Sequence, residues 1–410
     1  MRDLTKYYLN IEKERGKATA EATEYLYSLF TDDVYKWLAS VWDKDIGGFY
    51  FSRSAKENEY VEYKGEKVLL LPDIESTSQA FGALVDDGIG RSFDDFPKEM
   101  KDKAVKFIAS CQDPTDGYFY HKQWGKNINT SRRARDMNKG VGLLCELGAR
   151  PLYPTALERI EASVNNGEGS AAVPEHLRSK EVFVKYLESL DINGKGKSYV
   201  VGHTIASQIP EIKAAGLAET CYEFLNATAN SNGVWEDELT NVSANGLMKI
   251  SCSYGALGKK MPYMLNSFSA AVEIACEAEV TSTDGITTVY NPPFVMLNLF
   301  NTMKATGDTE NYELCKKMII ERAPKVLKRT ADNLKLYAEP DGSFSYGMGH
   351  TSFTSQGQPV GMPGLPESDV NANSLAQGAR ERTLIALDIP LSPLFDEKDT
   401  KNFFELCGEI

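Results

Sequence analysis

Asp45-Ile46-Gly47-Gly48-Phe49-Tyr50 returns three more times in shortened form, as Asp116-Gly117-Tyr118-Phe119, Asn232-Gly233-Val234-Trp235 and Asp341-Gly342-Ser343-Phe344. Each copy is a polar turn, a glycine and then an aromatic residue, and each follows a stretch with helical apolar spacing. Before the first stand Leu26, Phe30, Val34, Trp37, Leu38 and Val41, and before the second Met100, Ala104, Phe107, Ile108 and Cys111. Leu217, Cys221, Phe224 and Leu225 precede the third, and Val326, Leu334 and Tyr337 the fourth. Glycine at a helix stop admits a left-handed backbone, and the aromatic then pins the reversing chain to the bundle. Recurrence at this scale predicts repeated helical hairpins.

A second kind of helix lies between the motifs, with a polar start and a small, apolar body. Six such starts are read at Asp73-Ile74-Glu75-Ser76-Thr77, Arg132-Arg133-Ala134-Arg135-Asp136, Tyr199 to Thr204, Ser243 to Gly246, Asn291-Pro292-Pro293 and Ser368-Asp369-Val370-Asn371. At Asn291 the two prolines are expected in the first turn. Pro210 marks a kink or a fresh start after the third helix. The more charged windows 20–42, 98–111, 154–164, 211–229, 262–278 and 310–337 alternate with these six. Six and six in alternation predict an all-α (α/α)6 toroid, with six inner and six outer helices in one domain over residues 1–410. No alternating strand pattern of useful length is present. The breaks at 165–169 and 193–196 read as loops. The segment 347–366 reads as a flap over the mouth or as a long surface loop.

The second motif extends back to Ser110-Cys111-Gln112 and on to Gln123-Trp124-Gly125. With the other three copies it resembles the Gln-Trp-type repeats of the terpenoid cyclase and protein prenyltransferase toroid superfamily. That resemblance covers most of the chain as architecture and implies an isoprenoid-binding or cyclising alternative. The family's acid signatures are missing. Asp43-Lys44-Asp45-Ile46 stops at two acids, Asp94-Asp95 lacks a third, and no Asp/Cys/His zinc set stands out. The same toroid serves polysaccharide lyases, glycoside hydrolases and sugar epimerases, and Trp42-Asp43-x4-Gly48-Phe49-Tyr50 looks like loops of that broader group.

The chain has 410 residues, 42% of them hydrophobic and 25% charged, which is ample for a large core. A formal net charge of −13 argues against a nucleic-acid partner, which calls for a basic face. The first twenty residues mix charges without a signal-peptide core, and no stretch reaches the ~20 apolar residues of a membrane span. Seven scattered cysteines without a Cys-x-x-Cys read as reduced core residues of a cytoplasmic protein. No metal and no cofactor are expected, and the oligomeric state is left open.

In an alternating toroid the inner helices start at one mouth, where their dipoles favour anionic groups. Residues at those starts therefore form one constellation. Capping alone accounts for the types of Ser76, Thr77, Asn245, Asn291, Asp369 and Asn371. The Arg132-Arg133-Ala134-Arg135 run is either a solvated loop or a clamp for a carboxylate or phosphate. Glycoside hydrolysis needs two carboxylates in different protonation states, which the pairs Asp73/Glu75 and Glu367/Asp369 provide. Elimination from a uronate needs its carboxylate neutralised and a proton moved. Asp73, Glu75, His203 and Tyr254 are the catalytic candidates. Arg132, Arg135, Asp136, Asn245, Glu367, Asp369, Asn371 and Trp124 are the substrate-binding candidates. The function expected is cleavage of an acidic, uronate-containing oligosaccharide by hydrolysis or elimination. An isoprenoid enzyme and a non-catalytic ligand-binding toroid are the alternatives.

Overall fold

The computed structural model of the protein describes residues 3–166 and 173–410, so the Gly167–Gly169 part of one expected loop lies outside the described residues. Helices dominate, in keeping with the all-α expectation. Among the described residues the strands form three small hairpins: Trp42–Asp43 with Gly48–Phe49, Tyr60–Tyr63 with Glu66–Leu69, and Thr354–Ser355 with Gln358–Pro359. The four-residue pair is a structure the sequence reading missed. Its turn is Lys64-Gly65, with φ of 51° and 81°, and a lysine replaces the Asn or Asp that normally announces such a turn.

Six helices pack in a cyclic order. Ile74–Asp87 lies against Thr130–Glu146, which touches Ser198–Ser207, then Asn241–Leu257, Thr287–Thr306 and Val370–Ala386, and the last returns to Ile74–Asp87. Cross-contacts join residues at similar depths. Arg132 bonds Glu75 near two helix starts, Asn291 bonds Asn245 five residues into each helix, and Asn298 Nδ2 lies 3.2 Å from Cys252 Sγ further along. These helices run parallel, with their N-termini at one end. Lys98–Ser110, Ala218–Ala227, Met264–Glu277 and Ala323–Leu334 pack on the outside of the six. One buried apolar cluster runs from Leu4 to Cys407.

Several boundaries differ from expectation for identifiable reasons. The window 20–42 divides into Lys17–Ser28 and Asp33–Ser40. The window 211–229 divides into Ile209–Ala214 and Ala218–Ala227 around Gly216, whose φ is 73°. The window 310–337 divides at Ala323-Pro324, because proline suits a helix start and not its interior. Pro210 likewise opens a short helix after a break at Gln208. Thr5–Arg15, Lys180–Ser189 and Glu397–Cys407 are further helices that no window named. The helix expected to start at Asn291 starts at Thr287 instead, so Pro292 and Pro293 lie inside it. Its start is set by a docked loop: Ile286 N–H donates to the Tyr346 carbonyl at 2.8 Å.

The four motif glycines explain how the outer layer holds together. All have positive φ: 85° at Gly47, 76° at Gly117, 85° at Gly233 and 101° at Gly342. Each also presses on the next outer helix or its lead-in. A methyl group would collide with the Lys103 backbone at position 47, the Pro154–Ala156 backbone at 117, the Asn266–Ser267 backbone at 233 and the Asp33 side chain at 342. The fourth contact therefore reaches back to an early helix. The following aromatics, Phe49, Phe119, Trp235 and Phe344, are buried. In the second copy Gln112 reinforces the contact: its Nε2 donates to the Tyr153 carbonyl at 2.8 Å, and its Oε1 accepts from Tyr153 N–H at 2.9 Å.

Gly233→Ala therefore combines left-handed strain with a backbone collision and should destabilise by more than the ~1–2 kcal/mol of strain alone. Gly216→Ala, with φ of 73° but open space around the new Cβ, isolates the strain. Denaturant melts of the two variants should separate these contributions, and equal losses would refute a special role for the contact.

Candidate functional site

The six parallel helices surround an axial cavity of about 580 Å³, and every one of them lines it. Glu75, Gln79, Gly82 and Asp86 come from the first; Arg135, Lys139 and Glu146 from the second. Tyr199 comes from the third and Lys249 and Cys252 from the fourth; Tyr290, Asn291 and Phe294 come from the fifth, and Asn371, Gly378 and Arg382 from the sixth. Tyr346, Ser355 and Gln356 close the N-terminal end. A larger hollow, about 940 Å³, lies between Gly88–Arg91 and Pro393–Thr400 but draws only Val85 from the six helices.

Glu75 is the hub of an ion network. Arg132 Nη1 approaches its Oε2 at 2.8 Å, and Arg135 Nε donates to its Oε1 at 2.5 Å. Arg132 also pairs with Asp136, one helical turn on, and its guanidinium lies 5.2 Å from the Trp124 ring centre. Trp124 Nε1 donates to Asp136 at 3.3 Å, and Ser355 Oγ donates to Glu75 at 3.0 Å. The helix start sets this geometry. Asn129 caps it by accepting from Arg132 N–H at 2.7 Å, so the arginine cluster occupies the first turns of a helix and is no solvated loop. Arg132 and Asp136 are fully buried. Burial opposes ionisation of Glu75, but Arg135 and Arg132 outweigh it and hold the carboxyl well below the usual range.

The sequence candidates divide into three groups. Glu75, Arg132, Arg135, Asp136 and Trp124 are brought together in this network, and Glu75, Arg135 and Asn371 line the cavity. Asn371 accepts from Gln79 Nε2 at 2.9 Å. Asp73 and Asp369 are N-caps, Asp73 accepting from Ser76 N–H at 2.9 Å and Asp369 from Ala372 N–H at 2.7 Å. Ser76 and Thr77, expected as caps, instead bond the Asp73 carboxylate and the Phe49 N–H. Asn245 is bonded to Asn291. The remaining three stand apart. Glu367 accepts from Ser52 Oγ and Ser54 N–H, both at 3.0 Å, and is absent from the cavity wall. Tyr254 is buried and donates to Asn226 on an outer helix at 2.9 Å. His203 lies behind the cavity-lining Tyr199, with stacked rings 6.1 Å apart. Burial, then the charges of Lys249 and Arg135, push its imidazole down to about 3, so it is neutral at ordinary pH.

Lys139, Lys249, Tyr290, Arg382 and Tyr346 were missed. The signal that reveals the ring positions is a polar or small stripe at helical spacing on an otherwise buried helix: Glu75, Gln79, Gly82 and Asp86; Arg135, Lys139 and Glu146; Asn371, Gly378 and Arg382. Burial, helped by Arg135, lowers Lys139, and the same two causes bring Lys249 down to about 8. Partial desolvation in the cavity wall raises Asp86 to about 6 and also raises Glu146, while both side chains stay in contact with solvent. Arg382 lies over two rings, 4.9 Å from Tyr290 and 5.0 Å from Phe294. The Asn291 Oδ1 atom is buried without a hydrogen-bond partner among the described residues. Such a wall can hold an anion, accept hydroxyl hydrogen bonds and present an amine for proton transfer.

Among the described residues no group of three His, Cys, Asp or Glu could hold a metal ion, and no helix is long and apolar enough to cross a membrane. No family model, curated protein or solved structure matches the chain.

Glu75→Gln should destabilise the fold by about 3 kcal/mol, because it leaves the partly buried Arg135 without a carboxylate and the buried Arg132 with Asp136 alone. The depressed Glu75 carboxyl contributes stability that is fully present above its unfolded pKa and is lost progressively as pH falls from there through its lower folded value. Wild type should therefore lose this contribution on acidification below the usual carboxylate range, whereas the variant should lack it throughout. Urea melts at several pH values measure both, and an unchanged midpoint for Glu75→Gln at neutral pH would count against the network.

Proposed function

We propose that the six-helix cycle is the inner ring of an (α/α)6 toroid whose cavity binds an acidic, uronate-containing oligosaccharide and cleaves it by elimination. The observation that carries this reading is the pair of cavity lysines, Lys139 and Lys249. No carboxylate among the described residues comes within ion-pair distance of either. Both are half-buried, Lys249 over the Tyr199 ring; half-buried cations without a carboxylate partner are costly, and a ligand carboxylate relieves that cost. Tyr199, Tyr346 and Phe93 offer faces for sugar rings, and Gln79, Asn371 and the unpartnered Asn291 Oδ1 suit hydroxyl groups. A hydrocarbon ligand would leave these charges unmatched, which disfavours the isoprenoid alternative.

Elimination fits better than hydrolysis at the roofed end. Glu75 is held ionised between two arginines, and Asp73 and Asp369 are engaged as caps. In the proposed step Lys139 neutralises the uronate carboxylate. Lys249 takes the proton from the carbon beside that carboxylate, a carbon–carbon double bond forms, and the sugar oxygen departs with its bonding electrons and takes a proton from the Lys249 ammonium. Hydrolysis is the second reading through Asp86 and Glu146, the two cavity acids raised by partial desolvation. Seven free cysteines, five of them buried, fit a cytoplasmic setting.

A panel of saturated and unsaturated uronate oligosaccharides tests this. Elimination gives a product that absorbs ultraviolet light through its conjugated double bond, whereas hydrolysis of a saturated substrate gives reducing ends without that absorbance. Because Lys249 acts as the free amine, kcat/KM should rise as pH passes about 8. Lys249→Met should lower kcat by about 10²-fold or more and abolish the rise. Full activity in that variant would remove Lys249 from the mechanism. Binding without turnover would leave the non-catalytic alternative, and no binding of any acidic sugar would end this reading.

A further inference from the structure

The two ends of the axial cavity differ. Where the six helices begin, residues 344–359 cross the ring. Tyr346 ties this segment to two helix starts: its carbonyl accepts from Ile286 N–H at 2.8 Å, and its N–H donates to Asp369 Oδ2 at 2.9 Å. Further along, Ser355 Oγ donates to Glu75 at 3.0 Å, and Asn129 Nδ2 donates to the Gln356 carbonyl at 2.9 Å. Those contacts tie the segment to two more starts. The neighbouring hairpin braces the tip, with Tyr63 Oη donating to the Gly357 carbonyl at 3.0 Å. Beneath it lies a separate small apolar cluster of Ala55, Val61 and Leu70, packed by Phe353 and Met362. The expected flap is thus a braced roof.

Among the described residues the opposite end has no such cover in the cavity wall. Asp86 and Glu146, near the helix C-termini, are exposed, whereas Glu75 and Asn291 near the roof are buried. Eleven residues separate Glu75 from Asp86 on one helix, a depth of ~16 Å at ~1.5 Å per residue. Lys139 lies seven residues inside Glu146, about 10 Å deep by the same rise.

We infer that the cavity is blind: its ligand enters where the ring helices finish, passes Asp86 and Glu146, and is held end-on by its terminal acidic residue. The ligand's identity rests on the function proposed above, but the direction of entrance rests on the roof and the rim alone. A roofed bore cannot be threaded, so an internal residue of a long chain reaches Lys139 only if both flanking arms fold into the same bore. A chain end meets no such obstacle. Cleavage is therefore exo, at the end of the chain.

The direction is tested without a substrate. In a Cys145→Ser, Cys252→Ser background the five remaining cysteines are buried. Thr287→Cys then places one reporter thiol at the roofed end of the cavity, where Thr287 opens its helix. Adding Gly82→Trp, at a wall position where a Cβ meets nothing within 4 Å, fills the bore. Labelling by an anionic methanethiosulfonate reagent should slow by about tenfold or more, since thiol modification follows access. Gln356→Ala, which trims the roof, should leave the rate unchanged. Asp86→Trp at the exposed rim gives the same test if Gly82→Trp fails to fold. Labelling that neither tryptophan slows, or that Gln356→Ala accelerates about tenfold, overturns the blind cavity. With end-labelled uronate oligosaccharides, release of terminal units supports end-on binding and internal cuts overturn it. Failure to bind any acidic oligosaccharide defeats the proposed function, while the thiol result still decides the entrance.

Discussion

Four glycine turns, each pressed against the backbone or first residues of another outer helix, set the dimensions of this protein. Contacts of this kind leave no room for a side chain, so the separation between neighbouring helices is fixed by main-chain geometry and not by adaptable packing. The chain meets this constraint at Gly47, Gly117, Gly233 and Gly342, and the last returns to Asp33. With the outer helices spaced in this way, the six polar-started helices are held parallel around one axis. Their N-termini converge, and the cavity follows from that convergence.

Charge inside the ring is handled in two ways. At the roofed end Glu75 is satisfied by Arg132, Arg135 and Ser355, and Asp136 completes the pairing of Arg132. This group is a structural clasp that joins two ring helices to the roof. Deeper along the axis Lys139 and Lys249 are left without carboxylate partners among the described residues, and Arg382 rests on aromatic rings. Paired charges hold the scaffold, while the cations without a carboxylate lie along the cavity wall. The two groups share the cavity wall, which explains how a chain with net charge −13 presents a locally cationic interior.

Much of the architecture was legible because its signals are local. The turn motif, the helical spacing before it and the polar helix starts each occupy a few consecutive residues. One boundary moved because of a distant contact, when Tyr346 anchored Ile286 and extended a helix four residues ahead of Asn291, whereas the divided windows turned on local Gly216 and Pro324. The site was legible only in part. Attention to helix starts found Glu75, Arg135 and Asn371, but it also collected Asp73 and Asp369, whose side chains cap their own helices. It passed over Lys139, Lys249 and Arg382, which lie further along the same helices.

The sequence by itself determined that the chain is helical and repetitive and that its second helices begin with polar groups. Hydrophobic period, glycine placement and capping chemistry are properties of neighbouring residues, and they act before any long-range contact forms. Only the tertiary structure decided which face of each ring helix points at the axis, and hence which charges are paired and which are free. It also placed residues 344–359 across the mouth, 280 residues beyond the Glu75 that Ser355 touches. Pairing and closure depend on the relative rotation and depth of helices far apart in the chain, and those are set by packing around the whole ring.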